Sequence, residues 1–388
     1  MTVWDFGSRL DALAADHRLR VRRTVSSPQR PHLTVDGREL LSFASNDYLG
    51  LAAHPEIVQA AQAGAERFGV GSGAAHFLSG HSTAHAQLEA ALCEYSQCES
   101  ALLFSTGYLA NLALLTALAD RETLICADKL NHACLNDGAR LSRAEFRRYA
   151  HGDIAHLRSL LDASDAKRKL IATDAVFSMD GDVAPLAEML ALAERHDALL
   201  VVDDAHGFGV LGPEGRGTLA ELGLRSPRIV VMATLGKAVG TAGAFVAARR
   251  DIADWIMQTA PCYLFTTAAP PMIAQATLKA LDLVREGDAL RRALRENIAH
   301  FRQGAAPVAT ARGWWLGHGV TAIQPLVIGD NATALRVSDA LLRRGIWAPV
   351  IRPPTVPAGT ARLRVSLSAA HTFDDIDRLL AALREVPA

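Results

Sequence analysis

The chain reads as an α/β protein: a large domain on a doubly wound, mostly parallel sheet, then a smaller α+β domain. Three observations predict this. Short apolar runs alternate with helical patterns from about residue 100 to 285, the grammar of βαβ units. The run Leu199 to Val202 is apolar throughout, as a strand covered on both faces must be, and stops abruptly at Asp203 and Asp204. Beyond about residue 300 the grammar changes to a few strands and two helices around the stiff, looped stretch RPPTVPAGTAR. The boundaries drawn from these changes are 1–45 for an N-terminal helix and short strands, 46–287 for the large domain and 288–388 for the small one.

Composition narrows the function. Half of the 388 residues are hydrophobic, enough for a sizeable aliphatic core and too many for disorder. The net charge is −1, from 40 basic and 41 acidic residues, so no overall field favours nucleic acid. Five cysteines (Cys93, Cys98, Cys126, Cys134, Cys262) make an odd count without a CxxC pair, as expected of reduced thiols in a cytoplasmic protein. Asp5, Asp11 and Asp16 stand where a signal peptide needs an apolar core, and no stretch is apolar enough to span a bilayer.

Taken in order, residues 4–20 carry Trp4, Leu10, Leu13 and His17 at helical spacing, a segment that needs a surface to dock on. VDGRE is the turn of a hairpin. His54-Pro55 opens a helix to about Phe68. Residues 69–81 form a Gly/Ser-rich loop without Walker spacing, and a helix runs from Thr83 to Tyr95. A strand at 101–104 leads through Ser105-Thr106-Gly107-Tyr108 into the helix LANLALLTALA. The N–H groups and dipole at that junction suit a phosphate, and Tyr108 suits the face of a ring; an ordinary capped helix with a core tyrosine explains the segment equally well. Strands follow at 124–128 and in EFRRYAH, then at 169–182, where the strand ends in a polar loop with Ser178. Helices lie between them, one starting at Asn131-His132. After the central strand come 229–232 and 242–248, a helix to about Arg285, and a charged connecting helix at 291–301. The last elements are a strand TAIQPLVIG, a helix 332–344, strands IWAPVI and RLRVSL, and a helix 373–385.

The chemistry gathers at strand ends, where open α/β sheets bind ligands. Asp203 ends the central strand, with Asp204 directed elsewhere by strand alternation and His206 three residues beyond Asp203. The next strand delivers Lys237 through Thr234-Leu235-Gly236. An acid, a histidine and a lysine on adjacent strand ends point to pyridoxal 5'-phosphate, the lysine forming a Schiff base and the aspartate keeping the pyridine nitrogen protonated. A nucleotide-dependent Rossmann enzyme would need GxGxxG after the first strand, which STGYLAN lacks. A non-catalytic sensor on the same fold would carry an added DNA-binding domain, for which there is no room before residue 40.

The phrases SNDYLGL, SGH…H..LE, STGY, NHA, FSMDGD, DDAHGFGVLG, TLGKA.G and RPPTVPAGTARLR resemble those of the α-oxoamine synthases. These are fold-type I pyridoxal-phosphate-dependent transferases of the aspartate aminotransferase superfamily, and the resemblance runs from about Asp11 to the C-terminus. It implies decarboxylative condensation of an amino acid with an acyl thioester, in a homodimer with shared active sites. It makes Lys237 the Schiff-base lysine, Asp203 the partner of the ring nitrogen, and His206 the partner of the ring hydroxyl. It places His132 on the ring face, either stacking or exchanging a proton. Gly107, Tyr108 and Thr234 become phosphate contacts and Ser178 a cofactor contact, with Thr266 and Thr267 reaching the phosphate from the partner subunit. Asn46 and Arg364 hold the substrate carboxylate, and Arg20 and Thr355 touch the acyl substrate. The phrases AIQPLVIGDN and RPPTVPAGTARLR…SAAH fit best the members that open biotin biosynthesis. Those use L-alanine and a pimeloyl thioester of coenzyme A or a carrier protein; the alternative is a relative using glycine with a short acyl donor. The chain departs from the family pattern at His76 (often arginine), His81 (often asparagine or tyrosine) and Asp174 (usually glutamate). The resemblance implies no metal.

Overall fold

The computed structural model describes residues 4–386, which divide into two compact units. One takes the chain up to Tyr48, the stretch Met179–Gly181, and everything from Arg292 on; the other takes Leu49–Ser178 and Asp182–Arg291. The N-terminal segment thus belongs to the same unit as the C-terminal part.

In the first unit the opening helix is Phe6–Ala15, shorter than the 4–20 pattern. Asp5 caps its start, accepting the Ser8 N–H at 3.0 Å, and beyond its end His17 takes a left-handed φ of 56°. None of the helix's residues is buried, and Trp4, Phe6 and Leu10 face outward. Strands β1 (His32–Val35) and β2 (Arg38–Ser42) form the hairpin, with Asp36 and Gly37 both at positive φ, as a two-residue turn of this hand requires.

The second unit holds a seven-stranded sheet: β3 (Ser100–Phe104), β4 (Thr123–Asp128), β5 (Glu145–Tyr149), β6 (Arg168–Asp174), β7 (Leu199–Asp203), β8 (Ile229–Thr234) and β9 (Ala244–Ala248). Their order is β3-β9-β8-β7-β6-β4-β5. Only β9 runs against its neighbours, so the other six share one direction and their carboxyl ends line one edge. Alternation sorts the apolar strand residues onto two cores. Val201, Val230 and Ile125 face one layer of helices, and Leu200, Val202 and Ile171 the other. Helices Pro55–Phe68 and Pro271–Arg285 pack closely at Gly64, where a Cβ would stand 2.9 Å from both Gln275 Cβ and Met272 Cα. The loop 69–81 contains one wide helical turn, His76–Gly80, that glycine content alone does not announce.

The helix read as 291–301 is Asp288–Arg312, with Pro307 inside it. Beyond it lie β10 (Trp315–Leu316), β11 (Ile323–Gly329), β12 (Ile346–Trp347), β13 (Val350–Ile351) and β14 (Ala361–Ser366). Four of them form an antiparallel sheet, β10-β11-β14-β13, while β12 pairs in parallel with β2. IWAPVI is therefore two short strands in two sheets. The break falls at Pro349, which has no N–H to donate and whose carbonyl accepts the Arg364 N–H at 3.0 Å. The final helix, Phe373–Glu385, starts on a capping box of Thr372 and Asp375. Among the described residues no helix is long and apolar enough to cross a membrane.

Candidate active site

The shared direction of six strands decides where the polar residues gather. The turns after β3, β4, β6, β7 and β8 deliver Gly107 and Tyr108, His132, Ser178, His206 and Lys237 to one edge. Together with Asp174 and Asp203, which end β6 and β7, and with Cys134, Ala205, Met232 and Thr234, they line a cavity of about 210 Å³. A larger cavity of about 460 Å³ in the same unit contains none of Lys237, Asp203, His206 and His132. The smaller cavity is therefore the candidate active site.

Asp203 and Asp204 are both buried, yet they have different surroundings. Asp203 faces the cavity. Its Oδ2 accepts from Asn111 Nδ2 at 2.7 Å and its Oδ1 from the Ala205 N–H at 3.0 Å, which fixes the carboxylate in one orientation. Asp204 turns away. It accepts the Thr218 N–H at 2.7 Å and the Thr218 hydroxyl at 2.6 Å. Gly207 and Gly217 make room for it, since a Cβ on either would come within 2.2 Å of an Asp204 oxygen. Burial pushes the Asp204 carboxyl up to about 7, against the two bonds from Thr218 that favour the anion. Asp204 is thus a structural acid. Asp204→Ala leaves the buried Thr218 N–H unpaired and is expected to destabilise the fold by ~2–4 kcal/mol, read as a lower urea midpoint. Catalysis by the protein that remains folded should be nearly unchanged.

Lys237 Nζ lies 2.9 Å from His206 Nε2, so these two side chains meet at the mouths of β7 and β8. His132 caps the helix Ala133–Leu141, and its backbone N–H donates to Asp174 Oδ2 at 3.0 Å. Its Nδ1 sits 2.8 Å from Cys134 Sγ. Partial desolvation lowers the basicity of the His132 ring; the Asp203 carboxylate opposes this and the Lys237 charge adds to it. Burial raises the Asp174 carboxyl well above its ordinary range, and the nearby Asp203 charge raises it further. Asn131 braces the same corner, donating to the Ala172 carbonyl at 2.8 Å and accepting the Asp174 N–H at 3.1 Å. Tyr108 stands at the start of helix Gly107–Leu118 and donates its hydroxyl to Asp137. Thr234 Oγ1 bonds the Gly243 carbonyl at 3.1 Å.

Of the residues singled out from sequence, Gly107, Tyr108, His132, Ser178, Asp203, His206, Thr234 and Lys237 line this one cavity. Thr266 and Thr267 do not line it; Thr267 forms an antiparallel bridge with Ala75. The other four belong to the other unit. There Arg364 Nη1 donates to Asn46 Oδ1 at 3.2 Å and to Ser366 Oγ at 2.8 Å, and Arg20 Nη2 donates to Thr355 Oγ1 at 3.1 Å. Sequence reasoning missed Asn111, Cys134 and Met232, and saw Asp174 only as a departure from a pattern. Asn111 had a signal: it is a fully buried amide in an otherwise apolar helix, and a buried amide needs a partner.

The cavity fits a pyridine ring with a phosphate arm. An oriented carboxylate stands at its wall, an amine at its mouth, and an imidazole beside each. At the start of helix Gly107–Leu118 the first N–H groups have no partner within the helix and suit an anion. Asp174 Oδ1 is buried without a hydrogen-bond partner beside this space.

A mostly parallel sheet with a lysine and an aspartate at neighbouring strand ends is the arrangement of an aminotransferase-type fold. The model for aminotransferase class I and II matches residues 38–383. An 8-amino-7-oxononanoate synthase of Aromatoleum aromaticum is 56% identical over 369 residues, 95% of each chain. A serine palmitoyltransferase variant from S. paucimobilis, solved with a bound PLP–myriocin aldimine, superposes with a TM-score of 0.92 at 29% identity, covering 98% of each chain. An 8-amino-7-oxononanoate synthase from Francisella tularensis superposes with a TM-score of 0.77 at 31% identity, over 89% of this chain and 97% of that one. The chain belongs to the aminotransferase class I and II family, on the branch of the 8-amino-7-oxononanoate synthases.

Proposed function

We propose that this enzyme condenses L-alanine with a pimeloyl thioester to give 8-amino-7-oxononanoate, carbon dioxide and free thiol, with pyridoxal 5'-phosphate as cofactor. The observation that carries the reading is Lys237 at the mouth of a cavity whose wall is the oriented carboxylate of Asp203, in a chain more than half identical to synthases of that product. The cofactor supplies an electron sink that makes the amino acid's α-proton acidic. Asp203 keeps the ring nitrogen protonated, because an anion beside a titrating nitrogen favours its charged form. Asn111 and the Ala205 N–H hold that anion in place. Lys237 Nζ would hold the cofactor and could serve as the base for the α-proton of alanine. His206, 2.9 Å from Lys237, would meet the ring hydroxyl, and His132 would lie over the ring and could carry a proton to or from the β-keto acid. The helix start at Gly107 and Tyr108, with Thr234, would hold the phosphate end, and Ser178 would contact the cofactor. Arg364, ordered by Asn46 and Ser366, presents a fork of donors for the alanine carboxylate. Arg20 and Thr355 contact the acyl donor, whose thiol belongs to coenzyme A or a carrier protein.

A matrix of amino acids against acyl thioesters, read by thiol release, tests the substrate assignment. L-Alanine with the pimeloyl thioester should give the highest specificity constant. One methyl group in a pocket is worth only ~1–3 kcal/mol, so a tenfold or larger preference for glycine with a short acyl donor would overturn it.

The reading includes a cytoplasmic homodimer, with Thr266 and Thr267 completing the partner's phosphate site. Two features support it. Val70, Phe77, Leu78 and Phe265 are exposed on segments 70–78 and 265–268, which the Ala75–Thr267 bridge and an Ala268 N–H bond to the Ala74 carbonyl tie together. Thr267 is itself exposed beside them. Mixing inactive Lys237→Ala chains with inactive Thr267→Ala chains should restore activity as subunits exchange, because one hybrid site is intact. A fully active monomer by light scattering would refute the shared site.

A further inference from the structure

One cluster in the second unit lies outside the cavity and has no part in the chemistry above. His151, just after β5, stands between two carboxylates. Its Nδ1 is 3.0 Å from Asp128 Oδ1 and its Nε2 is 2.9 Å from Asp182 Oδ2. The ring also meets Phe177 edge to face, with centroids 4.4 Å apart. Asp128 is fully buried. Burial disfavours a charged ring here, but the two carboxylates more than reverse this and raise the His151 pKa to about 10. The ring is therefore an imidazolium through the neutral range.

The two carboxylates stand on the two loops that deliver site residues. Asp128 ends β4 and organises the turn to His132. Its Oδ1 accepts the Leu130 N–H at 2.8 Å, its Oδ2 the Gly152 N–H at 2.9 Å, and its carbonyl the Asn131 N–H at 3.3 Å. Asp182 stands four residues past Ser178 on the loop between β6 and helix Leu186–Arg195. Its carbonyl accepts the Phe177 N–H at 3.0 Å, and Val176 and Val183 bridge beside it. The Asp182 carboxylate has His151 as its side-chain partner, while its other oxygen, Oδ1, is buried without a hydrogen bond.

We propose that His151 is a positioning residue: a cationic rivet between Asp128 and Asp182 that sets the loops carrying His132 and Ser178 around the cofactor. Neutralising it leaves two carboxylates facing one another without a counter-charge. Asp182, one-third exposed, then turns to solvent and loosens its end of the Ser178 loop, whose residues 179–181 keep their bonds to Arg362 and Thr321, while Asp128, being buried, cannot follow. The inference rests on the pyridoxal-phosphate reading of the cavity.

The test compares wild type, His151→Gln and His151→Lys in two measurements. In the cofactor-free protein, hydrogen exchange should rise at least fivefold in peptides covering 128–135 and 176–184 for His151→Gln, with helix Pro271–Arg285 unchanged. With cofactor, the dissociation constant for pyridoxal phosphate should rise about tenfold for His151→Gln, and the induced circular dichroism of the bound ring should change. His151→Lys, which keeps the charge, should recover at least half of both effects on a logarithmic scale. A brace that held only the fold would lower the melting temperature and leave the cofactor constant and dichroism of the folded protein alone, and that result overturns the proposal. So does equal behaviour of His151→Lys and His151→Gln, since charge would then not be the agent. If His151→Gln does not fold, Asp182→Asn carries the test, with faster exchange expected at 176–184 alone; unchanged exchange there overturns the proposal. Wild-type protein that binds no pyridoxal phosphate would overturn the functional reading instead, and the exchange arm would still report on the rivet.

Discussion

Lys237→Ala should reduce kcat by about 10⁴-fold, ~5–6 kcal/mol in the transition state, and leave a folded protein that still binds pyridoxal phosphate without a covalent bond. The size of the effect follows from the two roles given to one amine, holding the cofactor and taking the α-proton. No other amine lines the cavity to replace it: Lys237 is the only lysine among the lining residues, and the bases beside it are imidazoles. In the wild type, borohydride should fix the cofactor on the peptide containing Lys237, and the purified protein should be yellow. Attachment to any other lysine, or a protein that never takes up cofactor, would contradict the assignment. The melting temperature should change little, since Lys237 is only partly buried at the rim of the sheet.

Asp203→Asn should cost about 10³-fold in kcat, ~4 kcal/mol, for a different reason. The substitution keeps the size of the side chain and one oxygen to accept from Asn111 or Ala205, but removes the charge proposed to keep the ring nitrogen protonated. Binding of the cofactor should weaken less than turnover. The neighbouring pair makes a sharp control. Asp204 is equally buried but spends both oxygens on Thr218, so its loss should appear in stability rather than in rate. If Asp204→Asn proves the more damaging to kcat, the roles of the two acids are reversed.

Much of this was legible before any coordinates, because the strongest signals are local. The apolar runs of β7 and β8 end where a buried parallel strand must end, and the residues after them can only lie at the carboxyl edge. Pro55 and Asp36-Gly37 marked a helix start and a hairpin by backbone chemistry alone. What failed was long-range. IWAPVI has the pattern of one strand, but which sheet each half joins depends on β2 and β14, nearly the whole chain apart for β2. The polarity of β9 was likewise undecided by its small residues, since Ala244 to Ala248 fit either direction. Asp174 was hidden because its importance comes from what stands opposite, the His132 N–H, and for Asn111 the apolar helix around it signalled a buried amide but not its partner, the Asp203 carboxylate; no spacing rule supplies either partner. Helix Phe6–Ala15 stopped short of its pattern: among the described residues none buries its apolar side chains, and His17, just beyond its end, takes a left-handed φ.

In one turnover the acyl group joins the α-carbon of alanine and the carboxylate of alanine leaves as carbon dioxide. Carboxyl-labelled L-alanine, incubated with the holoenzyme and pimeloyl-CoA, tests this. One labelled carbon dioxide is expected for each thiol released, with all seven pimeloyl carbons retained in 8-amino-7-oxononanoate by mass spectrometry. Thiol release without labelled carbon dioxide would make the protein a thioesterase, labelled carbon dioxide without thiol would make it a decarboxylase, and either result would overturn the condensation.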